Sequence, residues 1–316
     1  MNKPAHSWKI KNRRILRDNH SSGKTRILLK IILAFILVFL FSLLIFNIIK
    51  ASKERKILLA IAGGENFKIA SFDFDSKETA VIEIPSNVEV EVARSLGNWE
   101  LSSVWNLGEN EKIGGGKLLV ETLRNNFFAP VFFWTSEKGN SLLGGNYLDR
   151  LSFPFLERRS NLNFFQKIRL AIFSARFKES ELTKINLSQT SFLQAARLKT
   201  GKDGYLIKGV LPEDLLWVYA DPLFLKNKVF ISVINESGGS LLVSKVGKII
   251  ESMGGKILSV ENQNMTDSDC EVYSSNYALA REVALVFSCR LQESKDYKTQ
   301  DGEIILKIGK KFKDRF

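Results

Sequence analysis

Histidine and cysteine, the side chains that most often bind transition metals or act as bases and nucleophiles, are scarce in this chain of 316 residues. Both histidines, His6 and His20, lie near the N-terminus, so the remainder of the chain has none. A Ser-His-Asp triad, a Cys-His pair and a His-rich metal site are therefore excluded there, and two isolated cysteines cannot build a structural zinc site. We predict no metal site and no cofactor, and the residue types alone identify no catalytic or ligand-binding residue.

Carboxylates are the next candidates for acid–base chemistry. Asp73 and Asp75 alternate at the end of a predicted strand over residues 67–75, directly before Ser76 and Lys77. Polar residues at such a place are typical of a solvated turn, which is the interpretation we favour over catalysis.

Three consecutive glycines, Gly114 to Gly116, precede a segment with helical spacing over residues 117–126. A glycine-rich turn before a helix can cradle a phosphate with its backbone N–H groups. Three glycines also make an ordinary turn, which is the interpretation we favour.

A phenylalanine-rich segment over residues 151–178 also contains six Lys/Arg and one Glu. In one interpretation, Phe165, Ile168, Ile172 and Ala175 form a helical face that lies on an anionic membrane or covers a lipid tail, with basic side chains at its rim. In the other, the same face packs on a sheet and the basic groups extend into water. The sequence leaves both open and slightly favours packing.

The net charge of +12 is concentrated at the N-terminus, where residues 1–30 carry nine Lys/Arg against the single acid Asp18. Residues 31–49 follow, and only Ser42 and Asn47 among them are polar. At about 1.5 Å per residue these nineteen residues reach roughly 28 Å, which predicts a transmembrane helix. The basic residues before it predict a cytoplasmic tail over residues 1–30 and an extracytoplasmic region from residue 51.

A cleaved signal peptide is the alternative, but the apolar run is long for one and Ile49 stands where cleavage needs a small residue. The chain is therefore expected to be a single-pass protein of the cell membrane whose residues 31–49 contact the bilayer. The tail is too short for a helix-turn-helix unit, so no nucleic-acid partner is expected.

The predicted elements after the span form two modules. Alternating apolar stretches over 56–62, 67–75, 79–85 and 88–92, the helix at 117–126 and a strand at 130–134 predict an α/β domain over residues 56–222. Residues 228–310 predict the order βαββαβ, with both helices on one face of a small sheet, as in split βαβ folds. Residues 311–316 are predicted to form a basic C-terminal tail.

The cysteines, Cys270 and Cys289, flank one strand and one helix of the second module, so both are predicted at the same end of it. Export would allow them to oxidise, and we predict a disulfide between them. Two buried thiols are the alternative.

Two stretches resemble a known family. Residues 67–134, with Ile84-Pro85, Gly115 and the strand ending at Trp134, resemble the front half of the LytR–CpsA–Psr cell-envelope domain, abbreviated here as LCP. Residues 229–309, with Val233-Ile234-Asn235-Glu236-Ser237-Gly238 before a helix, resemble the LytR C-terminal domain. The resemblance implies a divergent LCP-like α/β domain followed by that smaller domain.

The family's enzymes transfer glycopolymers from a polyprenyl-pyrophosphate carrier to the cell wall, using arginines, an aspartate and a metal ion. Here Ser86-Asn87 replace the Arg-Asp after Ile-Pro, Gly63-Gly64-Glu65 replace an earlier Asp-Ser-Arg region, and no arginine-rich motif lies between Arg176 and Arg197. We therefore expect a non-catalytic envelope protein that binds wall polymer, a lipid-linked precursor or an envelope partner.

The alternative is a divergent phosphotransferase with a site rebuilt from other basic residues: Lys68, Arg94, Arg150 or Arg158. A basic pocket that opens onto an apolar tunnel would favour the enzyme, and a filled core would favour the binding module.

Overall fold

The computed structural model describes residues 22–51, 55–292 and 303–316, and the chain divides into two compact units, Met1–Ser52 and Lys53–Phe316. The described part of the first unit is one helix, α1 (Ser22–Ala51). Residues 1–21 of the predicted cytoplasmic tail lie outside the described residues. Among the residues that the structure describes, no helix is both long enough and apolar enough to cross a membrane.

The second unit is a mixed α/β structure. Its strands are β1 (Lys56–Ile61), β2 (Asn66–Asp73), β3 (Thr79–Pro85), β4 (Val88–Glu91), β5 (Asn98–Glu100), β6 (Phe133–Thr135), β7 (Thr183–Asn186), β8 (Leu193–Arg197), β9 (Asp203–Ile207), β10 (Phe230–Asn235), β11 (Lys256–Asn262), β12 (Cys270–Ser274), β13 (Arg290–Gln292) and β14 (Glu303–Ile308). Its helices are α2 (Leu101–Asn110), α3 (Gly115–Phe127), α4 (Tyr147–Leu156), α5 (Phe164–Ser174), α6 (Glu213–Tyr219), α7 (Pro222–Asn227), α8 (Ser240–Ser252), α9 (Tyr277–Phe287) and α10 (Lys310–Arg315).

The first sheet has the order β6-β1-β2-β3-β7, with β1, β2 and β3 antiparallel and the outer strands β6 and β7 parallel to their neighbours. Alternate residues of β1 point to opposite faces: Ile57 and Leu59 pack with α4 and α5, whereas Ala60 packs with α2 and α3. Both faces are covered, which explains why β1 is apolar from Ile57 to Ile61.

The turn of the β2–β3 hairpin explains the role of Asp73, the first of the two alternating aspartates. The Asp73 Oδ1 atom accepts hydrogen bonds from the backbone N–H groups of Asp75 and Ser76, at 2.9 and 3.0 Å. Asp73 therefore stabilises the turn, as a short acidic side chain commonly does.

A second sheet, β5-β4-β9-β8, and a third, β11-β10-β14-β12-β13, complete the unit. The third sheet and the helices α8 and α9 share one apolar core, in which Val246, Ile249 and Val283 meet Ile231 and Leu306. The element order of this region matches the predicted βαββαβ, with β13 as one additional short strand. A disulfide joins Cys270 to Cys289, the pairing that the sequence predicts.

The predicted basic tail at 311–316 differs in the structure. It belongs to α10, where Phe312 is fully buried against Phe287 and the Arg315 side chain forms an ion pair with Asp269 at 2.8 Å. The aromatic residues at positions 312 and 316 outweigh the basic composition because their burial is favourable.

A buried cation lies where α3 meets α9. The Arg124 guanidinium donates hydrogen bonds to the carbonyl oxygens of Val286 and Val120. Burial lowers the pKa of Arg124 to about 10, which still leaves it charged at neutral pH. The charge is therefore held inside the unit by backbone carbonyl groups from both sides of this junction.

Candidate functional site

A cleft of about 710 Å³ opens at one edge of the first sheet. The strands β1 and β6 are parallel neighbours, so both end at this edge, and the residues that follow them, Ala62, Gly63 and Ser136, line the cleft. Helix α2 contributes Ser102, Trp105 and Asn106. The end of α4 and the loop after it contribute the residues from Phe155 to Arg159. Crevices at the carboxyl ends of parallel strands are common ligand sites.

Positive charge is concentrated on one side of the cleft, on Lys138, Arg158 and Arg159. The Lys138 Nζ atom donates a hydrogen bond to the carbonyl oxygen of Leu156 at 3.0 Å. Within the described parts of the chain, the exposed guanidinium groups of Arg158 and Arg159 have no hydrogen-bond or ion-pair partner. Two guanidinium groups without partners suit an anionic ligand, because each can donate paired hydrogen bonds to a phosphate or carboxylate.

The loop that carries these arginines is fixed by the carboxylate of Glu157, which is 2% exposed. This carboxylate accepts a 2.6 Å hydrogen bond from the Ser136 hydroxyl and another from the backbone N–H of Arg159. The backbone N–H of Ser136 in turn donates to the carbonyl oxygen of Arg159 at 3.0 Å. The end of β6 therefore holds the loop from residue 157 to residue 159 in place.

Apolar side chains form further walls of the cleft, beside the polar Ser102, Asn106 and Glu137. Phe67 is buried and Trp105 half-buried, whereas Phe155 and Leu156 are largely exposed. The Trp105 ring packs edge to face on Trp134, with the ring centroids 5.5 Å apart. The cleft thus combines a basic side with apolar walls, an arrangement suited to a ligand that has an anionic and an apolar part.

The three glycines before α3 serve packing. A Cβ atom on Gly116 would lie 2.0 Å from the Trp134 ring, and one on Gly115 would lie 2.7 Å from the Trp105 ring. The backbone N–H of Gly115 donates to the Glu109 carboxylate at 3.1 Å, so a side chain of the protein occupies the position that a bound phosphate would need. This geometry supports the turn interpretation.

Of the four basic residues considered for a rebuilt site, only Arg158 lines the cleft. The Arg94 guanidinium forms two hydrogen bonds with Glu121, at 2.6 and 2.8 Å, and this pairing raises the pKa of Arg94. The Arg150 guanidinium is buried and donates to the carbonyl oxygens of Ser174 and Phe177, at 2.5 and 2.6 Å. The Lys68 ammonium donates to the Asn140 side chain at 2.9 Å.

Ser86 and Asn87, which directly follow Ile84-Pro85, also have structural contacts. The Ser86 carbonyl oxygen accepts a hydrogen bond from the backbone N–H of Ser102, and the Asn87 side chain donates to the Asp203 carbonyl oxygen. Neither residue lines the cleft. In the described parts of the chain, no group of three or more His, Cys, Asp or Glu residues is placed to hold a metal ion.

Sequence reasoning missed Lys138, Glu157 and Arg159. The available signal was the charged run Glu157-Arg158-Arg159, which directly follows an apolar helical segment. Charged residues at such a place lie in the loop after the helix. The phenylalanine-rich segment differs from the slightly favoured interpretation, in which the face that carries Phe165 packs on a sheet. Helix α5 buries Leu170, Ala171 and Ser174, so the face that carries Phe165 is not its packed face.

No family model matches the sequence, and no curated protein matches it. Among solved structures, the chain is similar to TagV of B. subtilis at 10% identity, over 50% of this chain and 92% of that one, with a TM-score of 0.35. It is similar to TagT of B. subtilis at 14% identity, over 48% of this chain and 84% of that one, with a TM-score of 0.33. A third structure, described as a LytR-CPS2A-psr family protein YwtF (TagT) with bound octaprenyl pyrophosphate lipid, gives 14% identity, 48% and 83% coverage and a TM-score of 0.33. The structural neighbours are thus proteins of the LytR-CPS2A-Psr family, at low identity and over half of this chain.

Proposed function

We propose that this protein is a membrane-anchored protein of the cell envelope whose folded unit binds a wall polymer or a lipid-linked, anionic precursor in the cleft. The observation that carries the proposal is that Arg158 and Arg159 line the same cleft as the exposed apolar side chains of Phe155 and Leu156. A lipid pyrophosphate has the complementary chemistry, because its charge suits the guanidinium groups and its tail suits the apolar wall.

The anchoring rests on the sequence. The apolar residues 31–49 follow a strongly basic N-terminal segment, which favours a cytoplasmic N-terminus and export of the folded unit. The Cys270–Cys289 disulfide supports this placement, because disulfides persist mainly outside the cytoplasm. Protease added outside intact cells tests it: the folded unit should be cleaved, and a cut confined to the tail would contradict the orientation.

Binding without turnover is favoured by the contacts of the charged residues. Glu157, the most buried carboxylate of the cleft, is used to hold its own loop. Arg94 and Arg150 are paired elsewhere, so they do not add positive charge to the cleft. The remaining arginines can bind a pyrophosphate, but transfer also needs a group that activates the acceptor and stabilises the leaving charge.

A divergent phosphotransferase is the second candidate. It is favoured by one observation, the basic side of the cleft lying beside apolar walls, which is the arrangement that a lipid-pyrophosphate donor needs. Glu137, an exposed carboxylate of the cleft, is the available acid or base for such a reaction.

A ligand series on the full chain tests the binding proposal. Farnesyl pyrophosphate, farnesol and inorganic pyrophosphate each contain one or both halves of the proposed ligand. Calorimetry on the detergent-solubilised protein should show that farnesyl pyrophosphate binds at least about tenfold more tightly than either half, since each half fills only part of the cleft. Equal affinities for farnesyl pyrophosphate and farnesol would contradict the proposal, because the arginines would then contribute nothing.

A further inference from the structure

The outer surface of α4 and α5 carries a continuous apolar patch. Leu148 is 75% exposed and Phe155 69% exposed, values far above those of the core. The patch, called here the α4–α5 patch, consists of Tyr147, Leu148, Phe155, Leu156, Phe164 and Phe165. Single exposed apolar residues are ordinary on protein surfaces, whereas a contiguous group of this kind marks a contact surface.

The helix geometry makes the patch continuous. Leu148 and Phe155 are seven residues apart in α4, so they lie on one face of the helix. The rings of Phe155 and Phe164 connect the two helices, with their centroids 5.8 Å apart, and the Phe164 and Phe165 rings lie 6.1 Å apart. The opposite side of α5 already packs in the core through Leu170, so the patch is left for another contact.

The same stretch of chain is rich in basic side chains. Six that are exposed or half-buried lie between residues 158 and 178, the first two of them between the patch residues Leu156 and Phe164: Arg158, Arg159, Lys167, Arg169, Arg176 and Lys178. Among the described side chains from residue 147 to residue 178, the only exposed acid is Asp149, since Glu157 is buried. The Asp149 carboxylate is occupied in the capping box of α4, where it accepts a hydrogen bond from the Asn146 backbone.

From this arrangement we infer that the α4–α5 patch docks on the surface of an anionic lipid bilayer. Aromatic and leucine side chains enter the boundary between headgroups and acyl chains, while lysine and arginine contact anionic headgroups. The exposed charge of this stretch is almost entirely of one sign, which favours an anionic bilayer over a protein surface of mixed charge. Phe155 and Leu156 also line the cleft, so the docked face and the mouth of the cleft share these two side chains.

Site-specific quenching by brominated lipids tests the docking on the full chain. A bimane dye is attached to L148C or F165C, neither of which lines the cleft, and to K199C as the control in an exposed turn. The native cysteines are joined in a disulfide and do not react with the dye. The proteins are reconstituted in vesicles of brominated phosphatidylcholine with one-third phosphatidylglycerol.

Dyes at positions 148 and 165 should be quenched at least twofold more than the dye at position 199. The double change R176E/K178E should remove most of that excess, since each basic side chain near an anionic surface strengthens docking about fivefold. Quenching at 148 and 165 equal to that at 199 would overturn the proposal and leave a protein as the occupant of the patch. Excess quenching that is unchanged by R176E/K178E and by zwitterionic vesicles would overturn the requirement for anionic lipid.

Discussion

The Ser136 hydroxyl donates a 2.6 Å hydrogen bond to the Glu157 carboxylate, and both residues line the cleft. Ser136 follows a strand of the first sheet, whereas Glu157 follows helix α4. Their contact therefore ties the loop of Arg158 and Arg159 to the first sheet. A ligand that binds these arginines meets a prearranged site, which lowers the entropic cost of binding.

The two glycines at helix positions 116 and 247 make a matched pair. In G116A the new methyl group would overlap the Trp134 ring at 2.0 Å, so the variant should lose about 1 to 3 kcal/mol of unfolding free energy. In G247A the nearest atom would be the Ile257 side chain at an ordinary 3.6 Å, and a helical alanine should leave stability unchanged or raise it by up to about 1 kcal/mol. Urea unfolding measures both. Equal losses would contradict the packing role assigned to Gly116.

The disulfide should be formed in the protein purified from its native compartment. Alkylation of the denatured protein without reductant should modify neither Cys270 nor Cys289, and two freely modified thiols would contradict the bridge. The paired replacement C270S/C289S should lower the unfolding free energy by roughly 3 kcal/mol, as expected for closing a loop of about 20 residues. The control is the single variant S188A, which lies far from the disulfide in the sequence and should leave both cysteines unreactive.

Glu236 should make the unfolding free energy of the protein decrease at acid pH. Burial alone would raise the pKa of Glu236, but the hydrogen bonds from Lys307 and Thr266, at 2.9 and 2.5 Å, outweigh it and hold the pKa below its usual 4.5. The unfolded chain therefore binds this proton more tightly than the folded one. The stabilisation is complete above pH 4.5 and is lost as the pH falls through the lower pKa of the folded state.

The variant K307M should reduce this acid-side loss, because it removes the strongest partner of the Glu236 carboxylate. The matched control is K311M, which removes an exposed ion pair with Asp267. Urea unfolding of both variants between about pH 3 and pH 7 compares the slopes. A slope in K307M as steep as that of the unchanged protein would contradict the assignment to Glu236.

The full chain should not transfer glycopolymer from a polyprenyl-pyrophosphate donor with any divalent metal. Of the four basic residues considered for a rebuilt site only Arg158 lines the cleft, and each missing group that would stabilise the developing charge commonly costs about 3 kcal/mol, or about 100-fold in rate. The assay measures polymer release with Mg²⁺ or Mn²⁺. Metal-dependent transfer that disappears in R158A would restore the enzyme, and R94A serves as the control because Arg94 is paired with Glu121 outside the cleft.

Local patterns predicted much of the fold. The alternation of apolar residues located β1, β2 and β3 closely, and the helical spacing over residues 117–126 located α3. Short strands such as β8 and β9 were missed because they depend on pairing with each other rather than on a strong pattern of their own. The sequence also indicated an α/β unit, but it did not show which strands pair with each other in its sheets.

The cleft was harder to predict because its parts are distant in the chain. Arg94, Arg150 and Arg158 look alike in the sequence, and only long-range contacts separate the paired arginines from the unpaired one. Glu157 is similar, since its carboxylate is engaged by the hydroxyl of Ser136, which precedes it by 21 residues. Residue type predicts charge, but tertiary contacts decide which charges remain available to a ligand.

The most direct test of the central claim is the affinity of the full chain for farnesyl pyrophosphate in the double variant R158Q/R159Q. The matched control is R197Q, which changes an exposed arginine of β8 outside the cleft. Each lost charge-assisted hydrogen bond should cost about 1.5 to 3 kcal/mol, so the double variant should bind at least about tenfold more weakly while R197Q binds normally. An unchanged dissociation constant in R158Q/R159Q would show that the cleft is not the anion-binding site.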